Sequence, residues 1–178
     1  MKHLLAALLF GSLLAVPQMA TPALAQTAAP VKSVVILTPA ETAKIAPATI
    51  FFRGQSASTQ LRNSAGVQFS KSELLLAGLV DTSGYSSGIQ QKYQGFLLTE
   101  VPLEIDGKTL PAGAYGFGFV AENKLLVMDI GAHTVLETKW SADAALARPR
   151  PLQIVKGEKA DTFRLYSGKN YVEFSRGK

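Results

Sequence analysis

The sequence predicts an all-β fold, an antiparallel β-sandwich or small barrel with one short N-terminal helix. About ten to twelve short segments are rich in β-branched and aromatic residues, and turn signals separate them every several residues. Only one segment carries a complete helix-start pattern. The chain has 178 residues, 47% of them hydrophobic and 17% charged, which favours a folded domain with a substantial core.

The absence of cysteine and the presence of only two histidines narrow the possible chemistry. Without cysteine the chain cannot form disulfides, thiolate metal sites or a cysteine nucleophile. Two histidines are too few for a multi-histidine metal centre. We therefore expect no metal site and no cofactor.

The first 25 residues have the pattern of a secretory signal peptide. A positively charged start at Lys2 precedes an apolar run over residues 4–16, and Ala23-Leu24-Ala25 supplies the small-residue cleavage pattern. The run is too short to span a membrane. The sequence therefore predicts a signal peptide at 1–25, a flexible leader at 26–30 and a single β-domain at 31–178, which is periplasmic or extracellular and has no transmembrane segment after processing.

The first strand is predicted at residues 31–37, and the predicted helix follows it. Thr38 and Glu41 have the spacing of a capping box, and Pro39 occupies the first helical position. Pro47 ends the helix, so we expect it to run to Ala46.

The rest of the chain favours strands. Residues 61–70 are typical of a hairpin with its turn at residues 63–66. Residues 89–94 are typical of a helical turn. Asp106-Gly107 is a strong tight-turn signal, and the Pro102 in the segment before it predicts an edge strand or a bulge. The remaining strands are predicted at 50–52, 74–80, 96–105, 115–120, 125–130, 134–140, 152–155, 162–166 and 171–174.

The aromatic residues give the most specific binding hypothesis. Tyr115, Phe117 and Phe119 share one strand face, with Gly116 and Gly118 on the other. The rings can line a site for an apolar or glycan-like ligand, or they can fill the core while the glycines make room for bulky neighbours. Trp140 can likewise stack on a sugar or close the core.

One motif suggests catalysis. Gly84-Tyr85-Ser86-Ser87-Gly88 fits the G-x-S-x-G pattern of a nucleophile elbow, which would make Ser86 the nucleophile of a serine hydrolase and His133 its base. A Ser/Gly-rich loop also matches this pattern, and the chain lacks the alternating helices of that hydrolase fold. His133 is equally explained as a turn residue between two strands.

Charges are distributed unevenly. Residues 26–138 contain eight Lys/Arg and nine Asp/Glu, whereas residues 139–178 contain nine Lys/Arg and four Asp/Glu. The basic C-terminal end can bind an anionic envelope surface, or its charges can protect edge strands from aggregation. Glu100, Glu104 and Asp106 are expected on one strand face, either as an acidic site or as a solvent-exposed face.

A turn-and-strand element resembles one found in small exported bacterial β-domains of unknown function. The residues are Gly107-Lys108-Thr109-Leu110-Pro111-Ala112-Gly113-Ala114-Tyr115, which match a G-K-x-L-P-A-G-x-Y unit. Upstream, Ile50-Phe51-Phe52-Arg53-Gly54-Gln55 is loosely similar to a segment of one such family. The resemblance covers about a third of the mature chain and implies an exported β-sandwich-like domain with no known activity.

Three functions follow from these observations. The first is a non-catalytic binding module for an apolar or glycan-like ligand at Tyr115, Phe117, Phe119 and Trp140. The second is an envelope structural or protein-interaction domain that uses edge strands or the basic C-terminal end. The third is a serine hydrolase at Ser86. No feature indicates specific nucleic-acid binding.

Overall fold

Two antiparallel sheets make up most of the structure, a computed structural model that describes residues 34–178. The described strands, in chain order, are β1 Val35–Leu37, β2 Thr49–Phe52, β3 Gln55–Ser70, β4 Glu73–Val80, β5 Gly95–Thr99, β6 Leu103–Ile105, β7 Lys108–Leu110, β8 Gly113–Val120, β9 Lys124–Met128, β10 Thr134–Lys139, β11 Ser141–Ala142, β12 Arg150–Lys156, β13 Thr162–Gly168 and β14 Asn170–Arg176. The described helices are α1 Pro39–Ile45 and α2 Ser87–Gln90.

The larger sheet has the strand order β1-β3-β4-β5-β8-β9-β10, with β2 paired to β3. The smaller sheet has the order β12-β13-β14-β6-β7, with β11 paired to β14. The two sheets enclose one apolar core, to which the larger sheet contributes Phe117 and Leu125 and the smaller sheet Phe163 and Phe174. The all-β prediction is therefore confirmed, and the architecture is a sandwich.

Helix α1 forms as its capping residues predict. The Glu41 backbone N–H donates to Thr38 Oγ1 at 3.3 Å, and the Thr38 N–H donates to Glu41 Oε2 at 2.8 Å. These reciprocal bonds satisfy donors that the first helical turn leaves free. The bond from the Thr38 backbone N–H lowers the pKa of Glu41 most, and the bond that the Thr38 hydroxyl donates to the same carboxylate at 2.8 Å lowers it further. The predicted signal peptide and leader lie outside the described residues.

The prediction of a hairpin at residues 61–70 is wrong. These residues belong to β3, a single strand whose register with β4 shifts between Gln60 and Ser64. The polar residues of the expected turn find partners within the strand, because Asn63 donates to the Gln60 side chain and Ser64 to the Leu61 carbonyl. A bulge, rather than a chain reversal, thus accommodates them.

The prediction of one long strand at residues 96–105 is also wrong. The chain leaves the larger sheet after Thr99 and enters the smaller sheet at Leu103, so that Pro102 lies in the crossing between two sheets. There the Pro102 carbonyl accepts from the Gly177 N–H at 2.7 Å. Glu100 is consequently separated from Glu104, and the expected row of three carboxylates does not form.

A second apolar cluster covers the outer face of the larger sheet. It contains Phe52 from β2, Phe96 from β5 and two tyrosines of the 81–94 loop, Tyr85 and Tyr93. The Phe52 and Tyr93 rings stack with centroids 3.8 Å apart. The larger sheet is therefore buried over part of both faces.

The turn between β6 and β7 brings the edges of the two sheets together. Asp106 and Gly107 both have positive φ, 50° and 71°, as a two-residue hairpin turn with its right-handed twist requires. Asp106 Oδ2 accepts from Thr138 Oγ1, and Lys108 Nζ donates to the Glu137 carbonyl, each at 2.6 Å. These bonds join β7 of the smaller sheet to the edge strand β10 of the larger one.

Candidate functional site

The three predicted ring residues of β8 lie together on the inner face of the larger sheet. Phe117 is 1% exposed, and the half-buried Tyr115 and Phe119 pack against the same core. The enclosed space that Phe117 lines has a volume of about 10 Å³, which is barely enough for one water molecule. The geometry favours a core role for these rings, and their role in ligand binding stays a prediction.

The glycines of β8 make room for residues that pack on the other face of the sheet. A Cβ at Gly116 would overlap the rings of Phe52 and Tyr93, and a Cβ at Gly118 would overlap the Lys92 carbonyl. Gln94 continues the sheet at this point, since its side-chain amide both donates to and accepts from the Phe119 backbone at 3.0 and 2.9 Å. Close packing of the 91–94 segment accounts for the glycines.

Trp140 follows β10 and packs against the same core as Phe117. It is half-buried, and its Nε1 donates to the Val120 carbonyl at 3.2 Å. Its ring therefore closes the end of the core. The neighbours Lys139 and Ser141 point to the other side and line the groove described below.

The serine motif lies in the 81–94 loop, where Tyr85 is its buried anchor. The Tyr85 hydroxyl donates to the carbonyls of Phe52 and Gln55 at 3.0 and 3.2 Å. Ser86 precedes α2 without a capping bond from its side chain. A Cβ at Gly84 or at Gly88 would meet open space, so neither glycine is required sterically, whereas a nucleophile elbow requires small flanking residues.

His133 belongs to a turn that Asp129 organises. The Asp129 carboxylate accepts from the N–H groups of Gly131 and His133 at 2.9 Å, and His133 Nδ1 lies 3.0 Å from Asp129 Oδ2. These bonds lower the pKa of Asp129, with the His133 backbone bond as the largest cause. Within residues 34–178, no hydrogen bond joins His133 to Ser86. The proposed catalytic pair is not assembled in this arrangement.

An open groove of about 430 Å³ lies on the outer face of the smaller sheet. Strand β14 forms its floor, because Tyr171, Glu173 and Ser175 alternate with the buried Val172 and Phe174. The other polar residues that line the groove are Glu104, Asp106, Lys139, Ser141, Lys159 and Thr162. Sequence reasoning singled out Glu104 and Asp106 but missed Tyr171, although the alternation along residues 171–175 was a usable signal.

Tyr171 has neighbours that fix its ring. The Arg164 guanidinium lies 4.5 Å from the ring centroid, and the Tyr166 ring lies 5.1 Å away, tilted by 32°. Arg164 is itself held by Glu158 at 2.7 Å and Glu173 at 3.4 Å. The Glu158 bond is the largest cause of the raised pKa of Arg164, which stays charged in any case. An aromatic ring fixed in this way loses little entropy when a ligand packs on it.

Tyr166 is buried beneath the 141–149 segment and anchors this side of the groove. It is 2% exposed, and its hydroxyl donates to Asp143 Oδ2 at 2.9 Å. Burial raises the pKa of Tyr166, and the bond to Asp143 raises it further. Strand β11 starts this segment and pairs with β14, with Ser141 opposite Tyr171. This pairing holds Ser141 at the groove.

The basic residues of the C-terminal end do not form a single patch. Arg164 and Arg176 are engaged in ion pairs with glutamates. Arg150 and Lys156 are exposed on β12, the edge strand of the smaller sheet, where lysine, arginine and proline discourage pairing with another chain. The distribution favours edge protection for β12, and an anionic envelope surface as partner stays a prediction.

Comparisons with protein-family models, curated proteins and solved structures find no match to this chain. In residues 34–178, no helix is long and apolar enough to cross a membrane, and no three or more His, Asp or Glu side chains lie close enough to hold a metal ion. The groove itself thus supplies the functional argument.

Proposed function

We propose that this protein is an exported, non-catalytic binding module that takes a glycan-like ligand in the groove on the outer face of its smaller sheet. The observation that carries the proposal is the half-buried Tyr171, fixed by Arg164 at the floor of a polar groove of about 430 Å³. Aromatic rings with polar groups around them suit sugars, which present both apolar ring faces and hydroxyls. The core, with about 10 Å³ of free space, offers no comparable volume.

The test is a glycan microarray followed by calorimetry with the sugar that binds. We expect Tyr171→Ala to weaken that binding at least about tenfold, the effect of losing about 1.4 kcal/mol from an aromatic anchor. Phe51→Ala is the control, because Phe51 is an exposed aromatic residue of β2 that lies outside the groove. Circular dichroism shows whether both variants fold.

Two results would contradict the proposal. One is an array on which no glycan binds the folded wild-type protein. The other is a Tyr171→Ala variant that binds as tightly as the Phe51→Ala control, which would place the ligand elsewhere.

A second candidate function is protein interaction through the edge strand β12. A cleft of about 290 Å³ separates this strand from β1 and the start of α1, and Gln153 Nε2 is buried beside it with no hydrogen-bond partner among residues 34–178. An extended peptide could pair with β12 and accept from this amide. Pro151 and the register shift between Arg150 and Gln153 restrict such pairing to residues 154–156. Binding through Arg150 and Lys156 would weaken steeply with salt.

A further inference from the structure

The charged residues of the groove form two neighbouring sets, each with one lysine and one carboxylate. At one end, Thr162 pairs with Ser175, which pairs in turn with Glu104. Lys159 belongs to this end, because its carbonyl accepts from the Thr162 N–H and hydroxyl at 3.3 and 2.9 Å. This end therefore carries one lysine and one carboxylate.

The other end has the same composition. Ser141 pairs with Tyr171, and Lys139 lies two residues before Ser141. Asp106 accepts from Thr138, the residue next to Lys139. Since Ile105 pairs with Phe174, Asp106 follows on the side of Glu173, and the two carboxylates, Glu104 and Asp106, lie no more than about 7 Å apart along the strand at roughly 3.3 Å per residue.

The lysines and carboxylates at each end do not neutralise each other. Among the described residues, no ion pair within 4.0 Å involves Lys139 or Lys159, although both line the same groove as Glu104 and Asp106. Glu104 and Asp106 accept from the uncharged hydroxyls of Thr109 and Thr138. Within residues 34–178, each end therefore has one lysine without an ion pair and one carboxylate available to a ligand.

We infer that the ligand of this groove is a zwitterionic saccharide, one that carries both ammonium and carboxylate groups. This inference rests on the proposed function and specifies its ligand class. A polyanion would be attracted by the two lysines but repelled by Glu104, Asp106 and Glu173. A polycation would be attracted by these three carboxylates but repelled by the two lysines. Only a ligand with both signs, such as an amino sugar next to a uronic acid, can satisfy both ends.

The experiment compares four tetrasaccharides by calorimetry at low ionic strength. De-N-acetylated hyaluronan alternates glucuronate with glucosamine and is the zwitterionic probe. Hyaluronan carries only carboxylates, a glucosamine tetramer only ammonium groups, and N-acetylchitotetraose no charge. We expect the wild-type protein to bind the zwitterionic probe at least about tenfold more tightly than each of the other three.

The variant Lys159→Gln should reduce that preference several-fold, since it removes the cation that meets the sugar carboxylate. Lys71→Gln is the matched control, because Lys71 is exposed in the turn between β3 and β4, outside the groove. It should leave all four affinities unchanged.

Equal or tighter binding of any one of the other three probes would overturn the inference, as would an unchanged preference in Lys159→Gln. Absence of binding of the zwitterionic probe would also overturn it. The proposed function is judged separately by the microarray and Tyr171→Ala, so a neutral sugar that depends on Tyr171 would refute the inference and leave the binding module in place.

Discussion

Removal of a hydroxyl from each of two neighbouring tyrosines should have opposite effects on stability. Tyr85 and Tyr93 lie in the same outer cluster, with ring centroids 5.4 Å apart, and both are buried. The Tyr85 hydroxyl donates to two carbonyls, whereas the Tyr93 hydroxyl is buried with no partner in the described structure. Phenylalanine keeps each ring, so each substitution tests the hydroxyl alone.

The expected magnitudes follow from this difference. A buried hydroxyl without a partner costs about 1–3 kcal/mol, so Tyr93→Phe should leave the free energy of unfolding unchanged or raise it by up to that amount. Tyr85→Phe should lower it by about 1 kcal/mol, the net worth of a hydrogen bond. The variants should then differ by about 2 kcal/mol, or roughly 4–8 °C in Tm.

Urea denaturation followed by circular dichroism measures both values at pH 7. A change in the midpoint at constant m-value reports stability alone. If Tyr93→Phe is destabilised as much as Tyr85→Phe, the Tyr93 hydroxyl has a partner after all and the reasoning is refuted.

Tyr93→Phe should also change how the free energy of unfolding depends on pH under alkaline conditions. Burial, followed by the neighbouring Tyr85, raises the pKa of Tyr93 far above its ordinary value of 10.0. As the pH rises above about 10, the unfolded chain loses this proton while the folded chain keeps it. The stability that Tyr93 contributes as a neutral group is therefore present below about pH 10 and falls above it. Tyr93→Phe should show a shallower decline in the free energy of unfolding between pH 9 and pH 11.

Three further predictions concern the core, the glycines and the helix. Phe117→Ala should lower the free energy of unfolding by about 3–5 kcal/mol in urea denaturation, because the ring is in the core; a fully stable variant would contradict that placement. Gly118→Ala should lose about 1–3 kcal/mol or more through overlap with the Lys92 carbonyl, whereas Gly84→Ala should change stability by less than about 0.5 kcal/mol; similar losses in both would refute the packing argument. Thr38→Ala should cost about 1 kcal/mol at pH 7, and the loss should diminish at low pH as Glu41, whose folded pKa is lowered, becomes protonated; a pH-independent loss would exclude a contribution from the bond between the Thr38 hydroxyl and the Glu41 carboxylate.

Local signals predicted the elements whose geometry depends on neighbouring residues. Thr38, Pro39 and Glu41 suffice to start α1, because the capping bonds join residues three positions apart. Asp106-Gly107 suffices for the β6–β7 turn, because aspartate and glycine adopt two successive positive φ angles at low cost. These elements form as the sequence predicts.

Two strand predictions failed because the deciding contacts are distant in sequence. The 63–66 segment has the composition of a turn, yet pairing with β4 and β1 keeps it extended within β3. Residues 96–105 read as one apolar strand because both halves are buried, and composition does not show that they belong to different sheets.

The groove was partly visible in the sequence. Glu104 and Asp106 stood out as carboxylates close together, and alternation marks Tyr171, Glu173 and Ser175 as one face of a strand. Lys139 and Lys159 come from loop and strand ends that only the sheet arrangement brings to this face. Their assembly depends on pairing of β14 with β6 and β11, which no local pattern specifies.

The sequence by itself determined the all-β class, the helix and its cap, the tight turn and the two-face alternation of most strands, since these depend on side-chain chemistry and backbone conformation within a few residues. Only the tertiary structure decided which face of each strand is covered. A period of two separates the faces of β8 but does not say that Phe117 meets the smaller sheet while Gly116 meets Phe52 and Tyr93. Both faces of the larger sheet are covered in part, whereas Tyr171, Glu173 and Ser175 of the smaller sheet line an open groove.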